Sequence, residues 1–498
     1  MRPRGDAGVA RTALREIRKR ILEAAGGPAR LQIIAVLAAI LGLNMADRGT
    51  VSAVSDHLKS SFKIGNTEVG LLIAVVSFIG ALATLPMGIL ADRVRRRTVL
   101  LVTVPLWAVA MIVSGTAGSY AFLLLSRLGL GIATAAAWPC VASLSGDFFP
   151  ARERAGTYGL ILAGELLGTG IGFFVSGEVS TLIDWHWSFY VMALPALALA
   201  WVIWRYLPEP ERGSQQWLSA GERDPAAASR PGQKPGRDER AEGGSSMHEL
   251  VRQSDVEPRK GLVLRDDPTR RGWWWAITYF MKLPTYRLLI VVSALTYYFF
   301  AGVSTLGMIY FTQHYQASRG VVSALVFVLG AGALAGVIGG GRLSERLLAR
   351  GKLNARIIVP ACALFLSVPF FAAGFWTTNL WLALLPLTVA AATMAAAVAP
   401  IDAARLDIVH PRMWGRGEAG RTAIRSLFEG SAPLVFGLIS SWLGGGDEGL
   451  MWTFLMMLVP MLAAGSLAWP ARRSYPRDVA TAAASVGPAP KDENEDTF

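Results

Sequence analysis

The run Gly88-Ile89-Leu90-Ala91-Asp92-Arg93-Val94-Arg95-Arg96-Arg97 closes one long apolar segment, and another, Thr98 to Ala117, follows at once. Two membrane-length helices with so short a connection must form a tight hairpin, and its arginines hold the turn at a membrane surface. The pattern returns half a chain later as Gly341-Arg342-Leu343-Ser344-Glu345-Arg346, again just after an apolar segment. Both copies read Gly-x-Leu-x-acid-Arg. Such a repeat marks a protein built from two similar membrane halves.

The chain is 53% hydrophobic and 17% charged over 498 residues, where a soluble protein would be nearer a quarter charged. Its apolar residues come in blocks of about 20, the length that crosses a bilayer. The fold class is therefore an all-α polytopic membrane protein with twelve spans in two pseudo-symmetric six-helix bundles. The spans are predicted near 31–54, 68–91, 98–117, 121–144, 155–177 and 187–207, then 287–311, 320–343, 354–375, 380–401, 420–443 and 449–469. Residues 1–30 read as an N-terminal tail and 31–207 as the first bundle. A central loop fills 208–286, 287–469 forms the second bundle, and 470–498 is a polar tail. Within the central loop, Ser214 to Lys260 is rich in Gly, Pro, Ser and charge, a composition that predicts disorder. Trp273-Trp274-Trp275 predicts an interfacial helix near 272–282.

The net charge of +12 raises the question of nucleic acid, and its placement answers it. Fifteen Lys/Arg fall in the short loops 93–97, 152–154, 342–356 and 405–421, against three (Lys59, Lys63, Arg319) in the opposite loops. That bias is the positive-inside pattern, with both termini cytoplasmic in a bacterial plasma (inner) membrane, and it requires no nucleic-acid partner. Cys140 and Cys362 both lie within spans and predict no disulfide. The first 30 residues lack the apolar core and cleavage site of a signal peptide.

Ionisable groups inside spans cost at least about 2.5–3.5 kcal/mol on insertion scales, so each needs a partner or a purpose. At 1.5 Å per residue, Asp47 lies roughly 10 Å below the outer end of span 1 and Arg127 about 9 Å into span 4. Equal depth allows them to pair, with Arg48 as a competing partner. Burial and a neighbouring guanidinium act on a carboxyl in opposite senses, so a carboxyl held between them can exchange a proton. A static ion pair locking spans 1 and 4 is the other reading. Glu165 sits about 15 Å into span 5 and Glu429 about 13 Å into span 11, equivalent positions in the two halves. Arg425 precedes Glu429 by one helical turn on its face. Glu165 has no cation in its own helix, which makes it the stronger proton-exchanging candidate; a neutral carboxyl bonded to a neighbouring helix is the alternative.

Asp92 and Glu345 end their helices, where a carboxylate can meet an arginine or the N-terminus of a facing helix. With Gly88, Arg93, Arg96 and Arg346 they are expected to latch a gate, and Arg421 and Arg425 are the predicted partners of Asp92. Asn44, Thr134, Trp138, Tyr297, Tyr298 and Phe300 are candidates to line a substrate cavity. Four aromatics in a row from Tyr297 to Phe300 cannot all face it. Gly- and Ala-dense stretches, such as Gly164 through Gly172, read as packing faces. The five histidines have no metal-ligand spacing, and neither a phosphate-binding Gly-x-x-x-x-Gly-Lys-Ser/Thr loop nor a serine elbow is present. The chain is expected to be no enzyme, with no metal and no cofactor.

Taken together, Gly88-x-Leu90-Ala91-Asp92-Arg93-x-x-Arg96-Arg97 and Arg127-x-x-x-Gly131 resemble the loop 2–3 and span 4 signatures of the major facilitator superfamily. In that superfamily's span 4 signature the Arg is associated with proton handling. Finer similarities are to its spinster-like branch: Asn44-x-x-Asp47-Arg48, Pro208-Glu209-Pro210-Glu211-Arg212-Gly213, and Gly415-Arg416-Gly417-Glu418 leading to Pro433-Leu434-Val435-Phe436-Gly437. Thr134 stands where that branch often has a Glu, and Ala137-Trp138-Pro139 through Arg154 looks instead like the anion:cation symporter branch. The resemblance implies a proton-coupled secondary transporter of a small organic or amphiphilic solute; protons and membrane lipid are its other expected partners, and the chain is expected to be a monomer. A facilitator driven by the solute gradient alone, and a transporter-like sensor or scaffold, are the alternatives.

Overall fold

A computed structural model describes residues 27–212, 251, 254, 256–317, 319–444 and 446–486. Eleven of its helices are long and apolar enough to cross a membrane. A further helix, Trp414–Trp442, has 29 residues but carries Arg416, Glu418, Arg421, Arg425 and Glu429, so hydropathy alone passes over it. In chain order the spans are Pro28–Ala53 (span 1), Asn66–Arg93 (span 2), Arg96–Gly115 (span 3), Tyr120–Phe148 (span 4), Arg154–Leu182 (span 5) and Trp185–Tyr206 (span 6). The second half has Pro284–His314 (span 7), Arg319–Ala349 (span 8), Ala355–Trp376 (span 9), Leu380–Ile408 (span 10), Trp414–Trp442 (span 11) and Glu448–Ser485 (span 12). These are the twelve helices of two six-helix bundles in an integral, multi-pass membrane protein.

Two spans at equivalent places are broken in the same way. Span 4 stops at Thr134 and restarts at Ala137; span 10 stops at Ala396 and restarts at Val398. Pro139 and Pro400 are each the third residue of the restarted helix, where proline's missing N–H leaves a carbonyl of the preceding turn unbonded. In span 4 neighbours supply the missing donors. Thr84 Oγ1 of span 2 donates to Ala135 O at 3.2 Å, and Asn44 Nδ2 of span 1 donates to Thr134 O at 3.3 Å.

Glycine brings the helices together. Spans 1 and 5 approach so closely at Gly42 and Gly168 that a Cβ on Gly168 would overlap the Gly42 backbone, and one on Gly172 would overlap Ala46. Spans 8 and 10 repeat the arrangement, with Gly336 against Ala392 and Gly340 against Ala396. In lipid, close van der Waals contact of this kind carries helix association. Gly168→Val must therefore push spans 1 and 5 apart. Overpacking costs about 1–3 kcal/mol or more, so the purified variant should melt several degrees below wild type in detergent. An unchanged melting point would remove this contact from the packing account.

The C-terminal tail departs from expectation. Residues 470–485 are not a loose tail but continue the last helix, Leu458–Ser485, as far as Ser485. Two polar anchors hold them. Tyr475 donates to Asp407 Oδ2 at 2.6 Å, and buried Asp478 accepts from Arg259 Nε at 2.7 Å and from the Thr285 N–H at 3.0 Å. The sequence looked polar there because those partners lie far away in the chain. Within the central loop, Trp273–Lys282 is helical, burying Ala276, Tyr279 and Phe280 and exposing Trp274. Most of Ser214 to Lys260, with residues 1–26 and 487–498, lies outside the described residues.

Candidate functional site

Three groups of charged residues lie along the bundle. In the first, Arg127 of span 4 and Asp47 of span 1 form an ion pair. Arg127 is fully buried, lies 5.0 Å from the Phe189 ring centroid, and among the described residues leaves Nε and Nη2 without a hydrogen bond. Arg48 lies in span 1, but its side chain falls outside the described residues. Thr134 turns its hydroxyl back to Leu130 O and Gly131 O of its own helix, both at 3.1 Å. What it offers Asn44 is its carbonyl.

The second group lies where spans 4, 5, 7, 10 and 11 converge. Arg421 donates to Glu418 Oε1 from Nη2 at 2.6 Å and from Nε at 3.1 Å. Its Nη1 donates to Ser293 Oγ at 2.9 Å and lies 3.4 Å from Asp402 Oδ1. Arg405 forms an ion pair with the other Glu418 oxygen. Arg425, one turn beyond Arg421, lies 4.5 Å from the Trp138 ring centroid and 4.3 Å from that of Tyr297. Its Nε is 3.9 Å from Glu429 Oε2. Glu165 is 8% exposed and makes no side-chain hydrogen bond or ion pair among the described residues. Arg425 and Glu429 are the leading charges that it senses.

The four aromatics of span 7 fan out within one turn. Tyr297 meets Arg425, Tyr298 packs on Phe428 and Phe436, Phe299 packs on Phe371, and Phe300 is 37% exposed.

The third group closes the face that carries the arginine-rich loops, here called the basic face. Asp92 ends span 2 and accepts from the backbone N–H groups of Gly415 (2.8 Å) and Arg416 (3.1 Å) and from Arg416 Nε (2.9 Å). Glu345, near the end of span 8, accepts from the Gly156 N–H at 2.6 Å. Each carboxylate thus caps the N-terminus of a helix in the opposite half, where partial positive charge and unbonded N–H groups favour an anion. The close fit requires glycine: a Cβ on Gly88 would overlap Ala419 and one on Gly341 would overlap Ala155.

This corrects the expected partners of Asp92. Arg421 and Arg425 do not reach it, because they lie one to three turns deeper and belong to the second group; Arg416 and the helix end take that place. Arg96 turns inward to Asp147, Glu209 and Ser143 within its own half. Exposed Arg93 donates to Thr269 O at 3.2–3.3 Å, and Arg346 is exposed.

Sequence reasoning gave no site role to several buried residues here: Asp402, Arg405, Asp407, Arg356 and Asp147, and to Arg416 and Glu418 beyond their place in a motif. Asp407 joins Arg356, Arg154 and Tyr475 as Asp147 joins Arg96. The signal was present as charge clustered at equivalent ends of spans 3, 4, 9 and 10, but it was counted as loop charge.

Below the latch, Arg416 also donates to Pro268 O, Thr269 O and Arg271 O, and Arg412 pairs with Asp267 at 2.8 Å. A cavity of about 710 Å³ opens there, lined by Asp92, Arg93, Arg212, Asp267, Thr269, Arg270 and Arg412. Burial, reinforced by Arg412, pushes the His410 imidazole down to about 4, so it is neutral at pH 7. Partial burial opposes ionisation of Asp267, but hydrogen bonds from Thr269 and the Arg412 charge prevail and hold its carboxyl below the usual range.

Twelve helices in two halves, with charged groups buried within them and carboxylate caps joining them at one face, are the features that a membrane transporter would have. The chain belongs to the Major Facilitator Superfamily, whose sequence model matches residues 37–412. A probable sugar efflux transporter of Helicobacter pylori (strain ATCC 700392 / 26695) is 30% identical over 165 residues, 33% of this chain and 42% of that one. The chain thus matches less than half the length of this curated relative.

Solved structures share the fold over nearly the whole length. The human organic anion transporter MFSD10 aligns with TM-score 0.63 at 19% identity, covering 89% of this chain and 99% of that one. A bacterial homologue of the human lysosomal transporter Spinster aligns with TM-score 0.56 at 20% identity, covering 91% and 98%. The proton:xylose symporter XylE aligns with TM-score 0.63 at 16% identity, covering 88% and 95%.

Proposed function

We propose that this protein is a proton-coupled secondary carrier of a small organic or amphiphilic solute, alternating access between the two faces of a bacterial inner membrane. In this reading the basic face and both termini are cytoplasmic, in keeping with the loop charges. The observation that carries it is the set of ionisable groups within the spans, above all Glu165, whose carboxyl makes no hydrogen bond or ion pair among the described residues. Intramembrane charge of this kind is retained for ion or substrate pathways. Asp47 and Arg127 form the outer coupling pair, and the Asp92 and Glu345 caps hold the cytoplasmic side shut. Opening requires both caps to release.

The test is made in proteoliposomes enclosing the pH dye pyranine, with sugars, organic acids and lysolipids added in turn. The sugar efflux and proton:xylose relatives place sugars first in that panel. At least one solute class should move protons with it. Asp47→Asn should lose that proton flux while still exchanging labelled solute across the membrane. Solute flux that ignores an imposed pH gradient in wild type, or an unchanged pH dependence in Asp47→Asn, would contradict the reading.

A further inference from the structure

Arg421 and Arg425 are one turn apart on span 11, yet they are treated in opposite ways. Arg421 is 1% exposed, and each of its three nitrogens is engaged by Glu418, Ser293 or Asp402. Arg425 is 2% exposed, and its Nε and Nη1 have no hydrogen-bond partner among the described residues. Among the described residues its one ion pair is the 3.9 Å approach to Glu429, too long for a hydrogen bond. Aromatic rings lie beside it as well. The Trp138 and Tyr297 ring centroids lie 4.5 and 4.3 Å from the guanidinium carbon, and the buried Trp138 Nε1 is itself a donor without an acceptor among the described residues.

A buried guanidinium with unbonded N–H groups is a costly state unless something completes it. Flanking rings compensate part of the charge but accept none of the in-plane hydrogen bonds. They occupy none of the N–H groups, and a guanidinium fork binds two oxygens side by side, which is the geometry of oxyanion recognition. Resting on the carrier reading above, we propose that Arg425, clamped by Trp138 and Tyr297, is the recognition site for an oxyanion, and that the solute carried is an organic anion. Its carboxylate, sulfonate or phosphate group meets Arg425, with Trp138 Nε1 as a further donor. Its apolar body lies against the two rings.

The test uses purified full-length protein in detergent and two matched probe pairs. These are 4-phenylbutyrate with 4-phenylbutyramide, and naphthalene-2-sulfonate with naphthalene-2-sulfonamide. Binding is read by thermal shift and by tryptophan fluorescence. In wild type, at least one acid should bind and raise the melting point, and its uncharged amide should do neither. Arg425→Gln should weaken that acid by roughly 10- to 100-fold, the range for losing a charged hydrogen-bond partner. Arg425→Lys, which keeps the charge but not the fork, should fall between the two.

The acid-against-amide comparison needs no variant, so a poorly folding Arg425→Gln does not blunt the test. An amide binding as tightly as its acid, no acid of either pair binding, or full acid affinity in Arg425→Gln would overturn the proposal. The pyranine assay separates this outcome from the broader one. Arg425-dependent acid binding without proton movement would sink proton coupling and leave the anion site standing. Proton flux driven by a neutral solute, with acids ignored, would do the reverse.

Discussion

Glu165→Gln is expected to abolish proton-driven accumulation while leaving exchange of solute between the two sides intact. Among the carboxyls in the interior this one stands apart. Asp47 is tied to Arg127, Asp402 to Arg421, and Glu418 to both Arg405 and Arg421. Glu165 has no hydrogen bond or ion pair among the described residues, retains 8% exposure, and lies in the field of Arg425 and Glu429. It is thus the carboxyl whose protonation breaks no existing bond. Glutamine preserves its shape and removes the titration. One coupled proton sustains about tenfold accumulation per pH unit of gradient; the variant should merely equilibrate. Pyranine flux and counterflow of labelled solute, measured on the same vesicles, check this. Full proton-driven accumulation in Glu165→Gln would move the coupling site elsewhere, with Asp47 first in line.

Arg421→Met is expected to be among the most destabilising single changes in the chain. Arg421 is engaged by Glu418, Asp402 and Ser293, and all three are buried. Removing it leaves Asp402 with no ion pair among the described residues and Glu418 with Arg405 alone. Breaking a buried ion-pair network from one side costs about 3–5 kcal/mol, because the remaining charge is stranded. The loss should appear as a large fall in melting point and in monodisperse yield. Asp402→Asn added to Arg421→Met should recover part of it, since the stranded charge is then removed. A change within about 1 kcal/mol would show that the network is not the anchor proposed here.

The parts of the molecule legible in the sequence are those that a local pattern determines. Apolar blocks of span length and the repeated Gly-x-Leu-x-acid-Arg hairpin disclose twelve spans in two halves, because lipid forces each backbone segment to satisfy itself. Equal depth in neighbouring spans is enough to bring Asp47 and Arg127 to one place. Long-range pairing was not legible. Nothing near Asp92 indicates that its partner is Arg416 at the start of span 11, nor does anything near Asp407 point to Arg356 and Tyr475. Charges at span ends look like loop charges until the opposite half is in position. The helical continuation to Ser485 was hidden for the same reason, since Asp407 and Thr285 supply its anchors from distant segments. The span 4 break could have been anticipated: Pro139 follows a small-residue run, and Pro400 repeats it in span 10.

Alternating access requires the two helix-end caps to be a releasable closure between the halves. The direct measurement is the distance between spin labels at Arg95 and Lys352, which are exposed on the basic face in opposite halves. It is made by electron–electron resonance in lipid nanodiscs, with Cys140 and Cys362 replaced. With Asp92 and Glu345 intact, a short, narrow distance distribution should dominate. Asp92→Asn with Glu345→Gln should shift most of the population to a distinctly longer distance. An identical distribution in both proteins would contradict the account.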